Sequence, residues 1–214
     1  VLGAILMFAK DTRNNIRYQQ ERRWVHRDTE TVAGKRVLVA GAGSIGRRIG
    51  ALCRAVDMHV TGIARRAREA DDVFEAIHAA DDLDTHLAEA DYVVVAAPLT
   101  EATENWFDAG RFRAMAGHAR FINIGRGPIV VTEDLVAALN DGEIAGAALD
   151  VFEQEPLPAD HPLWDAPNTI LTPHIAAQGG RHLEERRFEI VLENFRHFAA
   201  GEPLRNEVDK ANWF

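Results

Sequence analysis

Val37-Leu38-Val39-Ala40 runs directly into Gly41-Ala42-Gly43-Ser44-Ile45-Gly46, and an apolar-periodic stretch continues to Val56. Few features restrict a chain more. A short β-branched run ending on glycine reads as a buried parallel strand that feeds a tight turn. Ser44 to Val56 reads as the helix opened by that turn. G-x-G-x-x-G is a common hexapeptide, and the strand before it and the helix after it are what give it meaning. In that setting Gly41 permits the turn, Gly43 lets a pyrophosphate reach the backbone, and Gly46 lets helix and strand pack closely. The first amides of the helix face the anion. A glycine turn with no ligand is the competing reading, and the flanking elements weigh against it.

The rest of the chain repeats the alternation. Strands are expected at Met58 to Ile63, Tyr92 to Ala97, Ala119 to Ile124, Ala145 to Leu149 and Thr169 to Leu171. Pro98 stops the clearest of them where a ligand-binding loop would begin. Helices are expected from Asp71 to Ala90, near Thr103 to Ala116, and from Thr132 to Asn140, with Thr132 as the cap ahead of Glu133 and Asp134. A last helix presents Phe188, Val191, Leu192, Phe195 and Phe198 on one face and ends at Gly201. Such alternation predicts an α/β fold, a Rossmann-type doubly wound parallel sheet with helices on both faces. The opening apolar run lacks the basic flank and cleavage pattern of a signal peptide, and it is too short to span a bilayer. It reads as a helix that buries Ile5, Phe8 and Ala9. Asp11 to Thr31 is polar and arginine-rich, with Trp24 as its one large anchor.

Charge and cysteine usage exclude several partners. The 33 acidic and 24 basic residues give a net charge of -9, which repels nucleic acid and anionic lipid. The lone Cys53 can form no internal disulfide and has no partner for a metal site, so a packing role in a reducing cytoplasm is expected. His59, His78, His86, His118, His182 and His197 show no metal-ligand spacing, and no metal is expected. Dinucleotide folds normally end the second strand on an acidic residue that holds the adenosine ribose. Here the sequence is Gly62-Ile63-Ala64-Arg65-Arg66. The carboxylate that would repel a 2′-phosphate is missing, and guanidinium groups able to bind one stand in its place. The chemistry predicts NADP(H) over NAD(H), with solvated surface arginines as the alternative.

Three later segments each follow an expected strand: Asn123-Ile124-Gly125-Arg126-Gly127, Ala148-Leu149-Asp150-Val151-Phe152-Glu153-Gln154-Glu155-Pro156, and Thr172-Pro173-His174-Ile175-Ala176. Together with Pro98-Leu99-Thr100 and His161-Pro162-Leu163-Trp164, this ordered set resembles the D-isomer-specific 2-hydroxyacid dehydrogenases. The resemblance implies that Arg126 binds the substrate carboxylate, that Glu155 is the acidic member of the pair, and that His174 is the acid and base. It also implies that Ser44 and Ile45 touch the pyrophosphate, that Ala97 and Ile124 line the cleft beside Pro98 and Gly125, and that Asp150 holds the nicotinamide carboxamide. Ala176 and Ala177 would lie beside that ring. The residue types suit the reduction of a small 2-oxo acid to a D-2-hydroxy acid. Arginine forks a carboxylate, and a carboxylate beside histidine favours the imidazolium that donates a proton.

Members of the resembling family carry a substrate-binding lobe before the segment that begins here, and the sequence is expected to be either a fragment without that lobe or part of a longer polypeptide. The expected organisation is therefore a coenzyme domain over residues 1–175, including the leading interdomain helix, and a segment over 176–214 that would pack on the absent lobe. The fragment is expected to bind coenzyme and to turn over poorly alone. The resemblance also implies a homodimer. Two alternatives stay open: an NAD(P)-sensing interaction module like the corepressors that resemble this family, and a catalytically impaired fragment.

Overall fold

A computed structural model of the chain describes residues 1–208, apart from the side chains at 180–182. The last six residues of the expected C-terminal segment lie outside the described residues. The chain divides into two compact units, Val1–Pro173 and His174–Phe214.

The first unit is built on one sheet. Its strands are β1 (Arg36–Ala40), β2 (His59–Ala64), β3 (Ala76–Ala79), β4 (Tyr92–Val95), β5 (Arg120–Asn123), β6 (Gly146–Leu149) and β7 (Thr169–Leu171). They lie in the order β3-β2-β1-β4-β5-β6-β7, and all neighbours pair in parallel. The order turns back on itself between β1 and β4, so the loops leaving those strands diverge and open a crevice at their carboxyl ends. β1 sits centrally, with Val37 beside Tyr92 on one side and Val60 on the other.

Side chains alternate across the strands and build two cores. Val37, Val39, Val60, Tyr92, Val94 and Ile122 pack on one face with Ile5 and Phe8 of α1 (Leu2–Ala9) and with Ile49 and Cys53 of α3 (Ser44–Arg54). Burial pushes the Cys53 thiol up to about 11, which leaves it a packing group. Leu38, Ile63, Val93, Val95 and Phe121 face the other way, onto Leu83 and Leu87 of α4 (Leu83–Leu87), Phe112 of α5 (Ala109–Ala114) and Leu135 of α6 (Thr132–Asn140). Phe112 meets Phe121 edge to face at 5.3 Å, a favoured aromatic geometry.

The structure corrects several expectations. Asp71 to Ala90 is not mostly helical: it holds β3, a 3₁₀ turn at Ala80–Asp82 and only the short α4. The apolar spacing there serves a strand whose Ile77 is buried and a helix whose Leu83 and Leu87 are buried. Asp11 to Thr31 contains a second helix, α2 (Thr12–Gln20). Trp24 is 96% exposed and is not a buried anchor among the described residues. Instead the guanidinium groups of Arg17, Arg23 and Arg27 lie 5.1–5.2 Å from the Tyr18 ring. The arm is fixed to the sheet further on, where Arg120 donates to Glu30 at 2.8 Å and stacks on Phe8 and Tyr92. That pairing with Arg120 holds the Glu30 carboxyl below its ordinary range. Thr132 is the first residue of α6 and not its cap; Val131 takes the cap position and no side chain caps the helix.

In the second unit, α7 (Gly180–Ala200) ends where Gly201 adopts a left-handed φ of 71°. Phe188, Val191, Phe195 and Phe198 are all more than 60% exposed. No described helix is long and apolar enough to cross a membrane, and no cluster among the described residues could hold a metal ion.

Candidate active site

The glycine turn leaves β1 at the point where the strand order reverses. Gly41 has φ 115°, and a Cβ there would lie 2.5 Å from the Ala97 amide, so the turn tolerates no side chain. Its amide and that of Ala42 both donate to the Ile63 carbonyl at 3.0 and 2.9 Å, tying the turn to the end of β2. A Cβ on Gly46 would meet the Gly41 carbonyl oxygen at 2.0 Å; only glycine lets α3 start so close to the strand. At Gly43 the result is opposite: nothing lies within 4 Å of the added Cβ. Gly43 caps α3 in extended conformation with no side-chain hydrogen bond, and Ser44 and Ile45 are exposed. The helix therefore opens on unclaimed first-turn amides beside empty space, which is what a pyrophosphate needs. These residues fit a dinucleotide.

The rim follows from the neighbouring strands. β2 ends at Ala64, and Arg65 and Arg66 stand exposed just beyond it. Arg68, which the motif reading overlooked, donates from Nη2 to the Ala42 carbonyl at 2.8 Å, joining this segment to the glycine turn. After β4, Ala97 is buried while Pro98 and Leu99 are exposed. The Thr103 hydroxyl donates to the Pro98 carbonyl at 2.7 Å and steadies that loop. After β5, Ile124 is half-buried, and a Cβ on Gly125 would lie 2.8 Å from the Ala97 carbonyl oxygen.

Asn123 organises the next loop and was not singled out from sequence. Its side-chain oxygen accepts from the Gly125 amide at 2.9 Å, while its Nδ2 donates to the Arg126 carbonyl at 3.0 Å. An asparagine bridging its own backbone is a turn signal that the strand's apolar run masks. Arg126 is thereby held exposed, with Nη1 donating to the Gly125 carbonyl at 2.7 Å. Gly127 lies against the following loop so closely that a Cβ would sit 1.9 Å from the carbonyl carbon of Phe152. In that loop Glu155 accepts from the Phe152 amide at 3.0 Å, and the Glu155–Pro156 bond is cis. The loops that carry Arg126 and Glu155 are therefore in contact. Glu153 is exposed, and the Thr132 amide reaches it only at 3.5 Å.

Asp150 is buried at the end of β6 and accepts from the Thr172 hydroxyl at 2.5 Å. His174 begins the second unit with φ 53° and is exposed, as are Ala176 and Ala177. Within the first unit, the expected residues of the glycine turn, the Arg65 rim, the Ala97 and Ile124 loops, Arg126, Asp150 and Glu155 all follow the carboxyl ends of strands. Two cavities lie elsewhere. One of about 550 Å³ is lined by Tyr18, Trp24 and Arg27, and one of about 470 Å³ by Arg36, His59, His78 and His86. Neither touches the glycine turn, whose surroundings form an open crevice.

Residues 2–176 match the family described as D-isomer specific 2-hydroxyacid dehydrogenase, NAD binding domain. A glyoxylate/hydroxypyruvate reductase B from Citrobacter koseri is 45% identical over 141 residues, covering 65% of this chain and 43% of that protein. A probable 2-hydroxyacid dehydrogenase from Rhizobium etli, solved in complex with NADP, HEPES and L(+)-tartaric acid, superposes with a TM-score of 0.88 at 32% identity, over 98% of this chain and 66% of that one. An NADPH-dependent glyoxylate/hydroxypyruvate reductase from Sinorhizobium meliloti, solved with NADP and sulfate, gives 0.89 at 29% identity, over 100% of this chain and 67% of that one. The chain spans about half the length of the curated relatives it matches.

Proposed function

The chain belongs to the D-isomer specific 2-hydroxyacid dehydrogenase family, and from that premise we propose that it is the coenzyme-binding part of an NADP(H)-dependent reductase of small 2-oxo acids. The observation that carries this reading is the gathering, at the carboxyl ends of the strands, of an open glycine turn and two touching loops that bear Arg126 and Glu155. When bound, the coenzyme supplies the hydride. The chain's own residues supply the rest. Arg126 forks the substrate carboxylate and polarises the neighbouring carbonyl. By the family resemblance, His174 is the residue that delivers a proton to the oxygen on which negative charge develops, with Glu155 as the acidic member of the pair. Asp150, with the Thr172 hydroxyl already on its carboxylate, would hold the nicotinamide carboxamide, and the resemblance assigns Ala176 and Ala177 to the nicotinamide end. Gly41, Gly43, Ser44, Ile45 and Gly46 would hold the pyrophosphate, and Ala97, Pro98, Ile124 and Gly125 would line the coenzyme cleft.

Arg65 and Arg66 favour the 2′-phosphate of NADP(H) over the ribose diol of NAD(H), because no carboxylate ends β2. One solved relative is in complex with NADP, and another is named NADPH-dependent and is also solved with NADP, which supports that preference. Glyoxylate and hydroxypyruvate lead the substrate candidates, given the names of the relatives. The same proposal includes a homodimer, a cytoplasmic location and a division of labour at the C-terminal segment. There the exposed Phe188, Phe195 and Phe198 are offered as the face that receives a substrate lobe, with residues 1–175 binding coenzyme.

The test is NADPH oxidation by the full-length protein with a panel of 2-oxo acids, repeated with His174→Gln. The variant should keep its NADPH affinity and lose about 10²- to 10⁴-fold in kcat. Undiminished turnover would remove His174 as the proton donor.

A further inference from the structure

Helix α3 sends two arginines to the segment that follows β2. Residues 65–75 hold the cations Arg65, Arg66 and Arg68 and the carboxylates Glu69, Asp71, Asp72 and Glu75. Taken alone, that segment has more negative than positive charge, a poor surround for a phosphate. Arg47, in the first turns of α3, pairs through Nη1 with Asp71 and through Nη2 with Asp72. Arg54, at the other end of the same helix, takes Glu75 at 3.1 Å. Three of the four carboxylates thus have an α3 guanidinium as a partner, and the two arginines turn the local balance from one net negative charge to one net positive charge.

The segment's path brings those charges to the mouth of the crevice. The Arg68 amide donates to the Ile77 carbonyl at 3.0 Å and the Asp71 amide to the Phe74 carbonyl at 3.0 Å, so the chain folds back on itself. Val73 and Phe74 then press on α3 and β2, where a Cβ on Gly50 would meet Val73 at 2.7 Å and one on Gly62 would meet Phe74 at 3.1 Å. The Arg68 side chain reaches Ala42 of the glycine turn. We propose that Arg47 is a positioning residue for coenzyme choice: it offsets one of the two negative charges of Asp71 and Asp72 beside the arginines that follow β2, so that the 2′-phosphate of NADPH meets less repulsion there. The proposal rests on the reading of the glycine turn as the coenzyme site. Protonation cannot do this work. The Phe74 and Val73 amides, with Arg47, hold the Asp71 carboxyl at about 2, so it stays ionised at any working pH and only a counter-charge can silence it.

The 2′-phosphate adds about 1.5 to 2 negative charges near neutral pH, so a change in local field acts on NADPH and hardly on NADH. Titration of the whole chain with NADPH and with NADH, read by coenzyme fluorescence, separates the possibilities. Arg47→Ala should weaken NADPH about fivefold and NADH less than about twofold, with the gap shrinking at high salt. Adding Asp71→Asn and Asp72→Asn to Arg47→Ala should bring the ratio back to at least its original value, since the three positions then carry no charge in place of one net negative charge in the parent, and asparagine keeps an acceptor for the Val73 and Phe74 amides. Asp72→Asn alone sits at a side chain 82% exposed, threatens no packing, and should move the ratio the other way, toward NADPH. Equal weakening of both coenzymes by Arg47→Ala, failure of the triple variant to restore the ratio, or no shift in Asp72→Asn each overturns the inference. The unmutated chain judges the coenzyme reading separately: NADH bound as tightly as NADPH sinks the preference, while the change in ratio still decides the role of Arg47. Binding of neither coenzyme sinks both.

Discussion

Helices α3 and α7 both carry apolar side chains at three- and four-residue spacing, and they end in opposite conditions. α3 buries Ile49, Gly50 and Cys53 against β1, β2 and the segment after β2. α7 leaves Phe188, Val191, Phe195 and Phe198 exposed. Periodicity says which side of a helix calls for cover, and says nothing about where the cover comes from. For α3 the covering strands stand immediately before and after it in the chain. For α7 no described element of the chain covers those four side chains.

Three substitutions would break or sharpen that contrast. Gly46→Val has the largest expected effect, since a Cβ already lies 2.0 Å from the Gly41 carbonyl oxygen. Stability should fall by about 3 kcal/mol or more, and NADPH binding should vanish; a variant with native urea midpoint and native affinity would show that α3 need not approach β1 so closely. Ile49→Ala, at a site 8% exposed, should lower stability by about 2 to 4 kcal/mol through lost burial and the space left behind. Phe195→Ala, at a site 69% exposed, should stay within about 0.5 kcal/mol of the parent in the same urea titration. A loss there as large as that of Ile49→Ala would mean that the α7 face is covered within this chain, and the contrast between the two helices would disappear.

The elements read well from sequence are those whose signal is local. β1 and the glycine turn declared themselves through four apolar residues and three glycines, and α6 and β7 were placed to the residue. Asp71 to Ala90 misled because its buried Val73, Phe74, Ile77 and Leu83 are spaced as a helix would space them, while the strand among them is decided by pairing with β2. Trp24 misled for a related reason: a large ring predicts burial only on average. At the crevice, the residues after β2 pointed to Arg65 and Arg66, and the family resemblance pointed to Arg126, Asp150 and Glu155. The groups that hold the surroundings in place, namely Asn123, Arg47 and Arg68, escaped notice because their partners are a turn, a carboxylate pair and a carbonyl that only the folded chain brings within reach.

The contact between Gly127 and Phe152 has a consequence for anyone wishing to redesign this crevice. With no room for even a methyl group between the two backbones, the segments bearing Arg126 and Glu155 behave as one casting. Neither can be lengthened, shifted or swapped from a relative by itself. A change in the shape of the pocket has to come as a matched pair of grafts, or from side chains that leave that seam untouched.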